Sequence, residues 1–249
     1  MSTESFHDRL LAELDRYATL HARFFEDAEF RRRRASLRLW QAARLARTHR
    51  DLLESRRFHD AAEFFLVDLY GPKDLSRHVD DVRRIVPIMT RVLPESGLAT
   101  VAHAIELSVL SESLDGDMAE AVGAEADQIT DASYAAAYRK VDRAQDRERQ
   151  IDLIALLGDA LDSLTHQRFI GMALKMMRKP AQLAGLGELQ AFLERGYAAF
   201  GAMRGGAGEF VAIVVGRERA ISKALFAGDD DALQRDPKQL GETPLPGAD

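Results

Sequence analysis

The sequence predicts an all-α protein, a single-domain bundle of about eight to ten helices followed by a disordered acidic tail. Alanine and leucine dominate the composition with 38 and 31 residues, against 12 valines and 9 isoleucines. Ala and Leu lose least on entering a helix, whereas β-branched residues favour a sheet. Apolar residues also recur at helical spacing along most of the chain, and Pro and Gly fall between these stretches.

The first two helices are predicted over residues 5–26 and 29–54. Apolar residues and one histidine follow a 4,3,4,3 spacing in the first helix, at Leu10, Leu14, Tyr17, His21 and Phe24. In the second helix the buried stripe is predicted at Ala35, Ala42, Leu45, Ala46, Leu52 and Leu53. Leu37 and Trp40 fall outside that stripe, among arginines. We therefore expect them to contact another helix or another subunit.

Three further helices are predicted in the middle of the chain, followed by an irregular stretch. Residues 59–70 are apolar almost all round, as a central helix is, and Gly71-Pro72 ends them. Residues 74–93 form an apolar seam with a kink expected at Pro87. A helix over 98–114 carries two apolar stripes, and the acidic stretch 115–127 with its two glycines predicts short helical turns and loop.

Four helices are predicted after residue 130 at 131–141, 146–165, 167–177 and 186–204, and a fifth at 209–227 after the Gly-rich break 205–208. The last segment, 229–249, is rich in Asp and Pro and poor in apolar residues. It is predicted to be a disordered acidic tail, so the domain boundaries are 1–228 and 229–249.

Charge is distributed unevenly. Residues 31–57 carry ten arginines against two acidic residues, a net charge of +8, so the remainder of a chain with a net charge of −6 carries −14. Nucleic acid binding would use such arginines with Trp40 as a stacking platform, but the acidic remainder offers internal partners, and nucleic acid is not expected. We predict instead an interaction surface, used for self-association as a homodimer, formed by Arg33, Leu37, Trp40, Arg44 and Arg47.

The histidines raise three possible kinds of site: a heme site, an HD-type metal site and a di-iron site. His21 lies in the segment LHARFFE on the first helix, which loosely resembles the proximal-ligand segment of the heme oxygenases; the resemblance implies heme as the alternative cofactor, with His21 as its ligand. The pairs His7-Asp8 and His59-Asp60 resemble the metal-binding pair of HD-type phosphohydrolases, but without the flanking pattern of that family. A di-iron bundle needs two Glu-x-x-His pairs, and only Glu4-x-x-His7 is present.

Two polar residues are predicted to be buried. Asp68 stands inside the apolar run FFLVDLYG, and His103 shares a helix face with three leucines. No catalytic residue and no cofactor are predicted, because the serine-nucleophile, phosphate-loop and dinucleotide motifs are absent from the sequence.

The segments FFLVDLYGPKDLSRH, RIVPIMTRVLP and RKPAQLAGLGELQAFLERGYAAFGAM resemble those of a bacterial family of helical proteins with no assigned function. The resemblance spans most of residues 30–227. It implies a single helical domain and a bacterial source, and it transfers no catalytic residue.

The sequence therefore favours a non-enzymatic helical interaction or scaffold protein. The alternative is a helical enzyme or binding protein with an internal pocket for heme, a metal or an apolar ligand. The polar, mixed-charge start lacks the pattern of a signal peptide, and we expect a cytoplasmic protein. The longest strongly apolar run, 210–216, is too short to span a membrane, and we expect no membrane partner.

Overall fold

The computed structural model describes residues 12–13, 15–17, 19–20, 27–66 and 95–236. Within these ranges all regular structure is helical, and the predicted all-α fold is confirmed. The short described pieces between 12 and 20 are helical, in agreement with a first helix there. The predicted seam 74–93 and the kink at Pro87 lie outside the described residues.

The arginine-rich segment forms two helices rather than the single predicted one. Helix α1 spans Ala28–Thr48 and α2 spans Arg50–Glu54, with a break at His49. Helix α3 follows at His59–Phe64. Asp27 caps α1, because its side chain accepts hydrogen bonds from the backbone N–H groups of Glu29 and Phe30.

The next helix is longer than its sequence predicts. Helix α4 spans Glu95–Val122 and leads into a 3-10 helix at Gly123–Gln128. The prediction of short helical turns and loop from residue 115 is therefore wrong over 115–122, where α4 continues, and agrees with the 3-10 helix that follows. Met118 and Ala119 are fully buried there, and this burial outweighs the cost of about 1 kcal/mol of a glycine inside a helix.

The last five helices lie close to their predicted places. Helix α5 spans Asp131–Val141 and begins with a capping box between Thr130 and Ser133. The remaining four are α6 at Ala144–Thr165, α7 at Arg168–Leu183, α8 at Gly187–Ala202 and α9 at Ala207–Phe226. Helix α7 continues beyond its predicted end at residue 177 and contains Pro180.

Two apolar cores share helix α9. The first core joins α1, α4 and α5 to the C-terminal half of α9, where Ile221 and Leu225 are buried. The second joins α3, α6 and α8 to the N-terminal half, where Phe210 and Val214 are buried. The middle of α9 therefore lies between the two cores.

Helix α6 packs closely on α9 at Gly158. A Cβ atom placed there would lie 2.3 Å from Cγ2 of Val211. Any larger residue at position 158 would push the two helices apart, which explains a glycine in the interior of a helix. Helix α7 lies at the edge of the bundle, against α8 and α6.

The start of the predicted acidic tail needs a correction. Ala232 and Leu233 are buried in the first core, so the packed domain extends past residue 228. Two apolar side chains among acidic residues are enough to hold this segment on the bundle. Disorder of the remaining C-terminal residues stays a prediction.

Candidate functional site

The arginines of α1 are paired with carboxylates of the same chain. Arg33 contacts Glu29 (Nε–Oε1 3.1 Å), while Arg34 and Arg38 both reach Glu112 on α4. Arg47 contacts Asp131 at the start of α5, with 2.9 Å between Nη2 and Oδ1. Part of the acidic remainder of the chain thus neutralises the +8 segment internally.

Leu37 and Trp40 are covered by helices of the same chain. Leu37 is 0% exposed and packs in the first core with Met118 and Ala119 of α4. Trp40 is half-buried and stacks on Tyr134 of α5, with ring centroids 4.3 Å apart. The predicted stripe is wrong at its start, where Ala35 is exposed and Leu37 is buried, whereas its members Leu45 and Leu52 are buried. A helical wheel identifies faces, but it does not say which face a neighbour covers.

The fourth predicted surface residue, Arg44, belongs to a buried charge network between the two cores. Its Nη1 atom donates to both carboxylate oxygens of Glu218 on α9, at 2.6 and 2.7 Å. His49 lies against the same carboxylate, with 3.1 Å between Nε2 and Oε1. Leu37 and Arg44 are therefore not part of an exposed surface, and the predicted set reduces to Arg33, Arg47 and part of Trp40.

The neighbouring residue of α9 completes this network. Arg217 holds Asp51 of α2 by two hydrogen bonds of 2.7 Å, and its Nη1 atom also donates to the carbonyl of Thr48. That carbonyl lies at the end of α1, where helix carbonyls lack partners within the helix. The Arg217-Glu218 pair therefore fixes the break between α1 and α2.

Electrostatics explain why a carboxylate is stable at this depth. Burial raises the pKa of Glu218, but the charge of Arg44 and the contact with His49 outweigh burial and lower that pKa to about 2. Burial likewise lowers the pKa of Arg44, and the opposing charge of Glu218 raises it above its ordinary value. Each charge thus keeps the other ionised.

The network has the residue types of a catalytic centre but not its access. His49 is 2% exposed, and its Nδ1 atom has no hydrogen-bond partner among the described residues. The same holds for Nε of Arg44 and for Nη2 of Arg147, whose guanidinium lies 4.9 Å from the ring of Tyr138. These groups lie inside the bundle, where their contacts join α1, α2 and α9.

The other predicted polar sites are not assembled in the described part of the chain. His103 is half-buried rather than buried, and the helix turn that carries it places Glu106 against Arg149. His59 is exposed, with 2.6 Å between Nδ1 and the carbonyl of Leu53. Within the described residues no three His, Asp or Glu side chains form a group that could hold a metal ion. His21 and Asp68 lie outside these residues, and the heme alternative stays a prediction.

The most exposed apolar surface in the described part belongs to α7. We call it the α7 outer face and define it by Phe169, Met172, Met176, Met177 and Leu183. Met176 is 78% exposed and Leu183 is 90% exposed. At about 100° per residue the apolar side chains of α7 cover somewhat more than half of its circumference, and only the part around Ile170, Leu174 and Ala181 turns inward.

Basic residues flank the α7 outer face. Helix α7 contains Arg168, Lys175, Arg178 and Lys179 and no acidic residue. Arg178 contacts Glu194 of α8 with 2.6 Å between Nη2 and Oε2, and hydrogen bonds from Arg178 and Gln190 lower the pKa of Glu194 to about 2. Gln190 also donates to the carbonyl of Leu174, at 2.6 Å. These bonds anchor one side of α7 on α8 and leave its apolar half outward.

Sequence reasoning missed both of these features, although each left a signal. Arg217 and Glu218 interrupt the strongly apolar stretch of α9, and a charged pair in such a stretch indicates an internal ion pair. The α7 segment has basic residues on one side, apolar residues on the other and no acids. The pattern was missed because Pro180 ended the predicted helix at residue 177, and because the arginine-rich helix has the more unusual charge.

Within the described residues no single helix is long and apolar enough to cross a bilayer. The pair Gln190–Ala202 and Ala207–Phe226 passes the same test only when taken together, and the pair is bent by 102°.

Comparison with known proteins gives a family and no function. No curated protein and no solved structure matches the chain. Residues 21–232 match a family defined as a domain of unknown function, DUF8198, which confirms the expected membership of a family without an assigned function. This match extends past residue 228, as the packed domain does. Because it covers most of the chain, the protein belongs to the DUF8198 family.

Proposed function

We propose that this protein is a non-enzymatic interaction protein that contacts a partner through the α7 outer face. The observation that carries this proposal is the exposure of the five apolar side chains that form the α7 outer face. Its side chains expose on the order of 600 Å² of apolar surface, the upper end for the largest patch of a typical monomer, and such patches are often functional.

The arginine-rich helix is a weaker candidate for the contact surface. Its arginines have carboxylate partners in α4, α5 and α9, and Leu37 is buried beneath α4. A partner would have to displace these internal contacts before it could bind there. The α7 outer face needs no such rearrangement, because its side chains are already exposed.

Methionine suits this role for a physical reason. Its unbranched side chain is flexible and polarisable, so three methionines can adjust to an irregular or fluid partner. The body that presents them is fixed by two packed cores and by the buried charge network. The architecture therefore combines a rigid support with an adaptable contact surface.

Hydroxyl-radical labelling in intact cells tests the proposal without knowledge of the partner. Labelling of Met172, Met176 and Met177 is measured by mass spectrometry in cells and in the purified protein. We expect these residues to be labelled at least about threefold less in cells, because a partner removes them from water. Leu39, an exposed apolar residue of α1, serves as the control that keeps its labelling.

Equal labelling of the three methionines in cells and in the purified protein contradicts the proposal. Met118 and Met203 are fully buried and report on the integrity of the fold in both samples. A rise in their labelling identifies unfolded material, and the comparison is then made on the folded fraction.

A further inference from the structure

The chemistry of the α7 outer face also indicates what it contacts. We infer that α7 is an interfacial helix that lies in the surface of an anionic lipid bilayer. This inference rests on the proposed function, because it names the partner of the same surface. It assigns the apolar side chains to the acyl region and the lysines to the lipid headgroups.

The pattern of α7 agrees with that of helices that lie in a membrane interface. Such helices have a large apolar face, a polar face rich in Lys and Arg, and a low overall hydrophobicity. Helix α7 places Phe169, Met172, Met176 and Leu183 along one sector, and the neighbouring sector carries its basic residues. Of the described basic side chains, Lys175, Arg178 and Lys179 are exposed, and the two lysines have no carboxylate partner among the described ion pairs.

Charge complementarity selects an anionic partner. The chain as a whole has a net charge of −6, so an anionic surface repels most of it. Helix α7 carries four basic residues and no acidic one. Each Lys or Arg near an anionic bilayer contributes on the order of 1 kcal/mol of attraction, a fivefold gain in affinity. Electrostatics therefore orient the protein with α7 toward the lipid.

The shape of the α7 outer face favours a bilayer over a protein helix. A partner helix is normally bound in an apolar groove. The side chains of the α7 outer face instead project from the bundle, and those of Met176 and Leu183 are among the most exposed. Of the α7 outer face, Met172 alone lines the groove between α7 and α8, which is about 710 Å³ in volume and is flanked by Lys175, Arg178 and Glu194.

A second copy of the chain fits this surface less well. Two α7 helices in contact would bring eight basic residues together with no acid on either helix. The homodimer expected from the sequence therefore becomes an outcome of the test.

The expectation of no membrane partner rests on the lack of a segment of spanning length. That reason does not apply to a helix that lies flat, because such a helix inserts only about 5–10 Å into the headgroup and acyl boundary. Helix α7 has 16 residues, enough for a face of about 24 Å at 1.5 Å per residue.

Co-sedimentation of the full purified chain with vesicles tests the inference. One vesicle preparation contains phosphatidylcholine with about 30% phosphatidylglycerol, and the other contains phosphatidylcholine alone. We expect binding to the first and at least about tenfold weaker binding to the second. Binding should weaken as salt rises from about 0.1 M to 1 M, which shortens the Debye length from about 10 to 3 Å.

Two double variants divide the surface into its apolar and basic parts. Met172→Ser with Met176→Ser is expected to weaken vesicle binding about a hundredfold, because two apolar side chains lose their burial. Lys175→Glu with Lys179→Glu is expected to weaken it at least about thirtyfold. All four side chains are exposed, so both variants should keep the wild-type circular dichroism spectrum.

Matched controls change the same properties elsewhere on the surface. Arg56→Glu with Lys140→Glu makes the same change in net charge at two exposed positions away from α7, and Leu39→Ser removes an exposed apolar side chain of α1. Both controls should bind vesicles within about twofold of the wild type.

The outcomes separate this inference from the proposed function. No binding of the folded protein to the anionic vesicles overturns the lipid inference, as does binding that the α7 variants leave unchanged. If the methionines are nevertheless protected in cells, the proposed function stands and the partner is a protein. A dimer in light scattering that the Met172→Ser, Met176→Ser variant abolishes assigns the surface to a second copy and also overturns the lipid inference.

Discussion

Helices α1 and α7 are both rich in basic residues, yet the tertiary structure uses them in opposite ways. Helix α1 lies across the bundle, and carboxylates of α4, α5 and α9 neutralise its arginines. Helix α7 lies at the edge, where only Arg178 has a carboxylate partner among its described pairs. The difference teaches that a basic segment is a contact surface only if the rest of the chain leaves it uncovered.

The largest expected difference between the two helices concerns their ion pairs. Arg44→Met removes the buried guanidinium that holds the carboxylate of Glu218, and it should lower the free energy of unfolding by about 4 kcal/mol. Arg178→Met breaks the pair with Glu194, and it should cost far less, because Arg178 is exposed and solvent screens the pair. Urea denaturation measures both. Similar losses in the two variants would show that the α1 network is not buried in solution.

Truncation of one apolar side chain in each helix should give almost as large a difference in the free energy of unfolding. Leu37→Ala opens a cavity between α1 and α4, and we expect a loss of about 3.5 kcal/mol in the free energy of unfolding. Met176→Ala removes a side chain that is mostly in water and should change stability by less than about 0.5 kcal/mol. Thermal or urea denaturation provides the comparison. A large loss in the Met176 variant would mean that α7 is covered within the chain.

Acid should destabilise the α1 network in a defined range of pH. The pKa of Glu218 is about 2 in the folded protein and 4.5 as the ordinary value. Its contribution to stability is therefore complete above the ordinary pKa and is lost as the pH falls from there toward 2. Complete loss corresponds to about 3 kcal/mol. Urea denaturation between about pH 5 and pH 2 measures this slope.

Two variants serve as references for the acid experiment. Glu218→Gln is less stable at neutral pH, and its stability should depend less on pH in the same range. Glu194→Gln removes the corresponding carboxylate beside α7. Its partner Arg178 is exposed, so that salt screens the pair, and the variant should change the slope less. If the Glu218→Gln slope equals that of the wild type, the carboxylate is not held ionised by Arg44.

The smallest expected effect concerns the starts of the two helices. Asp27 caps α1, and Asp27→Ala should cost about 1 kcal/mol. Gln167 precedes α7 in an extended conformation without a capping hydrogen bond from its side chain. Gln167→Asp should therefore protect the first turn of α7, with amide hydrogen exchange there slowed by up to about fivefold. Unchanged hydrogen exchange in that turn would contradict the expectation that a capping side chain stabilises the start of α7.

The helix positions were largely predictable because their signals are local. Helix α5 agrees with its prediction at 131–141, and the break at 205–208 separates α8 from α9 as expected. Errors arose where packing outweighed a local signal. Helix α4 passes through Gly116 because Met118 and Ala119 find a core, and α7 passes through Pro180 while Ala181 stays buried against the bundle.

The candidate surface was not predictable to the same degree. The arginine-rich helix was the most unusual feature of the sequence, but Arg44 and Leu37 are buried. Which carboxylates approach these arginines depends on contacts between residues far apart in the chain, such as Arg44 with Glu218. Only the α7 pattern could have been found from a single segment, and even there exposure is a property of the assembled bundle.

The sequence by itself determined the helical fold, the charge separation and the amphipathic pattern of each helix, because propensity and periodicity act over a few residues. The tertiary structure alone decided which basic helix is neutralised and which is presented outward. That choice depends on the neighbours that each face meets. Two residues of the same type therefore have different roles. Arg44 is a buried structural charge, and Arg178 flanks an exposed apolar face.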